Sequence, residues 1–209
     1  FTENIREEKL VKEIEKLNKN KSVHGIIVQL PLPRHLNPRV ISGAALPEKA
    51  VDGSLLFTPA TTKGIIALLD HYKIPIAGKK VVVVGRSELV GKPTALALLN
   101  RDATVTVCHS QTKDMARETK RADILIVAIG KAKLIGKKHV SKNQIVVDVG
   151  INLVNGPSTE LGVKKLVGDV DFEKVSKTVK AISPVPGGVG PMTIASLFEN
   201  LLDAYLLQS

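Results

Sequence analysis

From residue 79 onward the chain alternates short β-branched runs with longer stretches of helical spacing. The runs are KVVVVG (80–85), TVTVCH (104–109), DILIVAIG (123–130), QIVVDVGI (144–151) and a shorter KLVGDV (165–170). Strands this uniformly apolar bury both faces, and crossover helices are what cover them. The pattern predicts an α/β region with a doubly wound parallel sheet. Upstream the rhythm differs. Leu10, Val11, Ile14 and Leu17 recur at helical spacing, and VHGIIVQLPLP (23–33) reads as an apolar strand ended by Pro31 and Pro33. The region 59–73, with PATTKGIIALLDHY, reads as a crossing helix. The closing segment IASLFENLLDAYLL places Ile194, Leu197, Leu201 and Ala204 on one face. A sheet already covered on both sides has no place for that face, so Pro191 is expected to start a helix that returns to the upstream region. The expected organisation is a partial α/β domain over 1–58, rejoined by 191–209, and a Rossmann-like dinucleotide-binding domain over 59–190.

Composition narrows the class. With 209 residues, 44% of them apolar, and a mean hydropathy of +0.11, the chain can bury one good core or two small ones. No apolar run approaches the roughly 18 to 20 residues of a membrane span, and no signal peptide is legible, so a cytoplasmic or organelle-matrix setting without membrane is expected. Cys108 is the single cysteine and has no metal-ligand spacing around it, so no structural metal is expected. The net charge is +10, yet Lys9, Lys12, Lys16 and Lys19 alternate with acids, and only 131–142 is dense in lysine. With 3% aromatics and no Trp, platforms for stacking bases are lacking, which argues against nucleic acid. A solvated basic surface and attraction of an anionic substrate or cofactor both remain open.

Candidate chemistry lies at the carboxyl ends of the strands, where such sheets bind ligands. VVVVGRSELVGKP carries Gly85, Ser87 and Gly91 between strand and helix, a dinucleotide fingerprint with altered spacing. Gly85 permits the tight turn, Gly91 close approach, and Pro93 fits a first helical turn whose free amides can face a pyrophosphate. The next strand ends in CHSQTKD, without the carboxylate an NAD site usually presents to the ribose. Arg86, Ser110 and Lys113 can instead surround a 2′-phosphate, which favours NADP; Ser110 can also cap the next helix. Gly130 and Gly150 close two further strands, as simple turns or as walls of a cofactor cleft. Asp148, inside an apolar strand, is either paired with a turn amide or part of the site.

Taken in order, VHGIIVQLPLP, EKAVDG, GRSELVGKP, TVTVCHS, DVGIN, VGDVDF and PVPGGVGPMT resemble the bifunctional methylenetetrahydrofolate dehydrogenase/cyclohydrolase family over essentially the whole chain. The resemblance implies NADP-dependent oxidation of 5,10-methylenetetrahydrofolate to the methenyl form, then hydrolysis to 10-formyltetrahydrofolate, by a homodimer. It implies Gln29 as the active-site glutamine and Asp52 as the carboxylate for the pterin ring. Arg86 and Ser110 become contacts for the 2′-phosphate, and Gly150 and Ile151 backbone facing the nicotinamide. Pro186, Gly187 and Gly188 line the meeting of folate and nicotinamide, with Thr193 beside them. Bottom-up, Gln29 as a strand-end amide and Asp52 as the start of a glycine turn are also structurally plausible. Two departures stand out. The family's Tyr-x-x-x-Lys motif does not occur in these residues, and SLLFTPATTKG follows VDG without the family's asparagine- and glycine-bearing loop. A chain starting at Phe1 is expected to lack the hydrolytic step, unless residues outside this sequence supply the lysine. The other open readings are a noncatalytic NADP- or folate-binding fragment and another Rossmann oxidoreductase, such as a shikimate-type dehydrogenase.

Overall fold

A computed structural model describes residues 1–155 and 164–209. They form two compact units, one of Phe1–Ala60 with Ile194–Ser209, the other of Thr61–Thr193.

The first unit begins with helix α1 (Glu7–Lys19), which buries Ile14 with Ile26, Leu36 and Ile41; Ile41 comes from the short helix α2 (Pro38–Gly43). The C-terminal carbonyls of a helix have no partner within it. Here the buried Lys49 ammonium supplies one, donating to the carbonyls of Leu17, Asn18 and Asn20 at 3.2, 2.8 and 2.9 Å. The apolar run 23–33 is not the strand its composition predicts. Backbone becomes strand only where a neighbour takes its polar groups, and among the described residues this run has one bridge, Ile26 beside Ala50, with the Ile26 N–H on the Lys49 carbonyl at 2.6 Å. The long helix α7 (Val189–Gln208) starts two residues ahead of Pro191. Within the first unit Leu197, Leu201 and Ala204 pack with Val51 and Phe57, whereas Ile194 is 59% exposed and does not belong to that face. The Asn200 side chain, 2% exposed, donates to the carbonyls of Val51 (2.8 Å) and Thr58 (2.9 Å).

The second unit is built on strands β1 (Lys80–Val84), β2 (Thr104–Cys108), β3 (Ile124–Val127), β4 (Ile145–Asp148) and a last, two-residue strand, Ala181–Ile182. All pair in parallel, and the order across the sheet is β2, β1, β3, β4, then Ala181–Ile182. Val81, Val83, Ile124 and Ile126 face a layer containing Ile65 and Leu69 of helix α3 (Ala60–His71) and Leu98 of helix α4 (Gly91–Leu99). Val82, Val84, Leu125 and Val127 face Ile135, Val140 and Val175 on the other side, the last from the short helix α6 (Phe172–Val175). Burial on both faces is why these strands carry no polar alternation.

The run 165–170 is not the fifth parallel strand. Strand β6 (Lys164–Val167) pairs antiparallel with β5 (Asn152–Asn155) as a separate ribbon, and Ala181–Ile182, here β7, takes the sheet edge beside β4. Eight residues separate β5 from β6, enough for an antiparallel return and fewer than the dozen or so that a parallel crossover between them needs.

Candidate dinucleotide and folate site

The chain leaves β1 to reach β2 on one side and crosses back to β3 on the other, so the switch point lies between β1 and β3. A crevice outside the carboxyl ends of those strands is the place for a ligand in such a sheet. Gly85 stands there with φ of 122°, its N–H donating to the Cys108 carbonyl at 2.9 Å. A Cβ on Gly85 would collide with the Ala128 carbonyl, and one on Gly91 with the carbonyl of Gly85. The close approach that Gly91 permits is therefore first to its own turn. Ser87 closes that turn: its hydroxyl accepts from the N–H groups of Val90 and Gly91, both at 3.3 Å, and its carbonyl from Lys92 at 3.0 Å. This corrects the expectation of free amides at the start of α4, since those of residues 90–92 are engaged and Pro93 has none.

The register pairs Val84 with Cys108, so Arg86 and Ser110 each lie two residues beyond the last paired position of adjacent parallel strands. Both are exposed. Ser110 does not cap the helix that follows; α5 (Met115–Lys120) is capped by Asp114, whose side chain accepts the Arg117 N–H at 3.0 Å. Lys113 is exposed on the same connection, which contains no acid before Asp114.

Gly130, after β3, has φ of 70° and open space where a Cβ would go, so its requirement is conformational. Gly150 is the opposite case, since a Cβ there would strike the Asp169 carboxylate. Ile151 beside it is 65% exposed. Asp148, 2% exposed, accepts the N–H groups of Gly150, Asp169 and Val170 at 3.0, 3.0 and 2.9 Å. Burial, with the negative Asp169 adding to it, pushes its carboxyl up to about 6 despite these donors. Of the two alternatives for Asp148, the structure selects pairing with turn amides.

In the loop after β7, Gly187 has φ of 98°, and Pro186 is exposed. Gly188 is buried; a Cβ there would meet the Pro184 carbonyl and lie 3.1 Å from the Ser183 side chain. Its missing side chain is thus required by the loop's own fold. Thr193 donates to the Val189 carbonyl at 3.1 Å within α7, and Gly64 of α3 leaves room for the Thr193 backbone, 3.0 Å from where a Cβ would be.

In the first unit, Gln29 is exposed, donates to the Leu30 carbonyl at 3.1 Å, and lines a cavity of about 800 Å³ with Leu10, Ile14, Ile26 and Val28. Asp52 is half-buried. Burial raises its carboxyl above the usual range, offset in part by a hydrogen bond from the Ala60 backbone N–H. The following Gly53 has φ of 129°, where a Cβ would lie 2.8 Å from Pro59. Asp52 therefore accepts from the first residue of α3. Sequence reasoning did not find Asp169 or Lys49; an acid inside the apolar VGDV run was the available signal for the first.

Comparison with known proteins defines the class. Residues 59–209 match the model of the tetrahydrofolate dehydrogenase/cyclohydrolase NAD(P)-binding domain, and residues 1–52 that of the catalytic domain of the same family. The chain belongs to the tetrahydrofolate dehydrogenase/cyclohydrolase family. It is 50% identical to the bifunctional protein FolD of Thermodesulfovibrio yellowstonii, over 99% of this chain and 74% of that protein. The crystal structure of the bifunctional enzyme FolD of Campylobacter jejuni superposes with a TM-score of 0.91 at 45% identity, covering 99% of this chain and 76% of that one. The Trypanosoma brucei enzyme, solved with NADP cofactor and an inhibitor, gives a TM-score of 0.90 at 36% identity, covering 98% and 74%.

Proposed function

We propose that the protein is an NADP-dependent 5,10-methylenetetrahydrofolate dehydrogenase and 5,10-methenyltetrahydrofolate cyclohydrolase. The observation that carries this reading is the match of both family domains in order along the chain, joined to a cleft where Arg86 follows β1 and Ser110 follows β2, with no carboxylate between Cys108 and Asp114. NADP supplies the hydride acceptor when bound. The second unit would hold it: Gly85 and Gly91 shape the turn beside the switch point, and Arg86 with Ser110 takes the 2′-phosphate by charge-assisted hydrogen bonds. Gly130, Gly150 and Ile151 supply wall backbone, with Ser87 locking the intervening turn. The first unit would hold the folate. Asp52 accepts from the pterin edge, and Gln29, whose amide both donates and accepts, faces the reacting carbon region. Pro186, Gly187 and Gly188 are assigned to folate binding and Thr193 to the cofactor. No residue of this sequence is assigned the part of the family's Tyr-x-x-x-Lys lysine. The same reading carries a homodimer in the cytoplasm, without nucleic acid or membrane partners; among the described residues no helix is long and apolar enough to cross a membrane.

The test is product analysis. Incubation with 5,10-methylenetetrahydrofolate and NADP should give reduced cofactor and 10-formyltetrahydrofolate in equal amounts. Reduced cofactor with only the methenyl product would confine the activity to the dehydrogenase, and neither product would overturn the proposal.

A further inference from the structure

Two buried carboxylates outside the assigned cofactor contacts form one device. Asp169, which is 0% exposed, takes four donors: the N–H groups of Ile129 (2.6 Å) and Gly130 (2.8 Å) on Oδ2, and the Lys131 N–H (2.8 Å) and Asn152 Nδ2 (2.9 Å) on Oδ1. Asp148 holds Gly150, Asp169 and Val170 by their N–H groups, and its own N–H donates to the Ser183 hydroxyl at 2.8 Å. The fit is reciprocal. The space that would be the Cβ of Gly150 is filled by the Asp169 carboxylate, and that of Gly168 by the Asp148 carboxylate. Each acid sits where the other segment has a glycine, so DVG (148–150) and GD (168–169) interlock.

The interlock lies at the carboxyl end of the sheet. It fixes the turn after β3, whose Ala128 carbonyl abuts Gly85, and the turn after β4. We infer that Asp169, supported by Asp148 and Asn152, is a positioning residue that sets the backbone wall of the dinucleotide cleft while touching neither substrate nor cofactor. The inference rests on NADP binding in this unit. A carboxylate offers acceptors on both oxygens, whereas a carboxamide offers one oxygen and turns an N–H toward the remaining N–H groups. Asp169→Asn keeps the volume and frustrates half of the contacts.

The experiment compares wild type, Asp169→Asn and Asn152→Ala, with NADP titrated by calorimetry and amide hydrogen exchange followed at 129–131. NADP Kd should rise tenfold or more in Asp169→Asn and by a smaller factor in Asn152→Ala, with faster exchange at 129–131 and an unchanged KM for the folate. A folded Asp169→Asn that binds NADP as wild type does would overturn the inference. If that variant does not fold, Asn152→Ala decides alone, because it removes one side-chain group, bonded to Asp169 and at 3.4 Å to the Val167 carbonyl, and leaves the three backbone donors of Asp169 in place; wild-type affinity there overturns the inference as well. Failure of the wild type itself to bind NADP would instead overturn the functional reading, and the inference with it.

Discussion

Single residues divide into those a ligand needs and those the backbone needs, and Arg86 and Gly188 show the difference. Arg86 is exposed at the end of β1, so truncation should leave the fold intact. Charge-assisted hydrogen bonds contribute about 1.5 to 3 kcal/mol, so Arg86→Ala should weaken NADP binding by roughly ten- to a hundredfold and NAD binding little. Calorimetry with both cofactors checks this, and equal losses for the two would remove the 2′-phosphate role. Gly188 faces the other way, with the Pro184 carbonyl occupying its Cβ position. Gly188→Ala should destabilise the second unit by about 1 kcal/mol or more through overpacking, read as a fall in Tm. A variant with unchanged Tm would show that the loop absorbs the extra carbon. PVPGGVGPMT is legible in the sequence as a loop of special backbone positions. What each glycine avoids is not, because its neighbours are brought there by folding.

At the scale of elements, the buried valine and isoleucine runs β1, β3 and β4 agree with their composition, since a parallel sheet covered on both faces hides such surfaces. The runs 23–33 and 165–170 look similar in composition and differ in outcome, because pairing depends on which backbone lies alongside. Asp148 in β4 and Asp169 after β6 were visible only as acids in apolar surroundings; their partners are turn amides, which every sequence has and none displays. The Asp148 carboxyl pushed up to about 6 gives a pH test. A carboxyl raised on folding keeps its proton in the native state, so its contribution to stability is complete at low pH and is lost as pH rises through about 4 to 7. Among the described residues, the other carboxyl acting on it is Asp169. The stability of the wild type relative to Asp148→Asn should therefore fall across that window. A difference independent of pH, measured by denaturant titration, would contradict the raised value.

For the whole molecule, the two units have separate cores, one around Ile14, Ile26 and Ile41 and the other around the sheet. The change of rhythm near residues 58–60 is what leads to the expectation of two domains; the compact units divide between Ala60 and Thr61, and between Thr193 and Ile194. The site residues themselves came from motif resemblance rather than from periodicity, because Gln29 and Asp52 are single polar residues with plausible structural roles. With Gln29 and Asp52 proposed for folate and the second unit for NADP, substrate turnover and cofactor affinity should be separable. The decisive measurement is the rate of NADP reduction at saturating NADP by Asp52→Asn, with NADP affinity measured on the same preparation. Replacing one acceptor oxygen by a donor sets N–H against N–H at the pterin edge. Dehydrogenase turnover should fall by about a hundredfold or more with wild-type NADP affinity, since misplacement of order 1 Å costs that much. Wild-type turnover in the folded variant would contradict it and leave Asp52 a turn carboxylate at the start of α3.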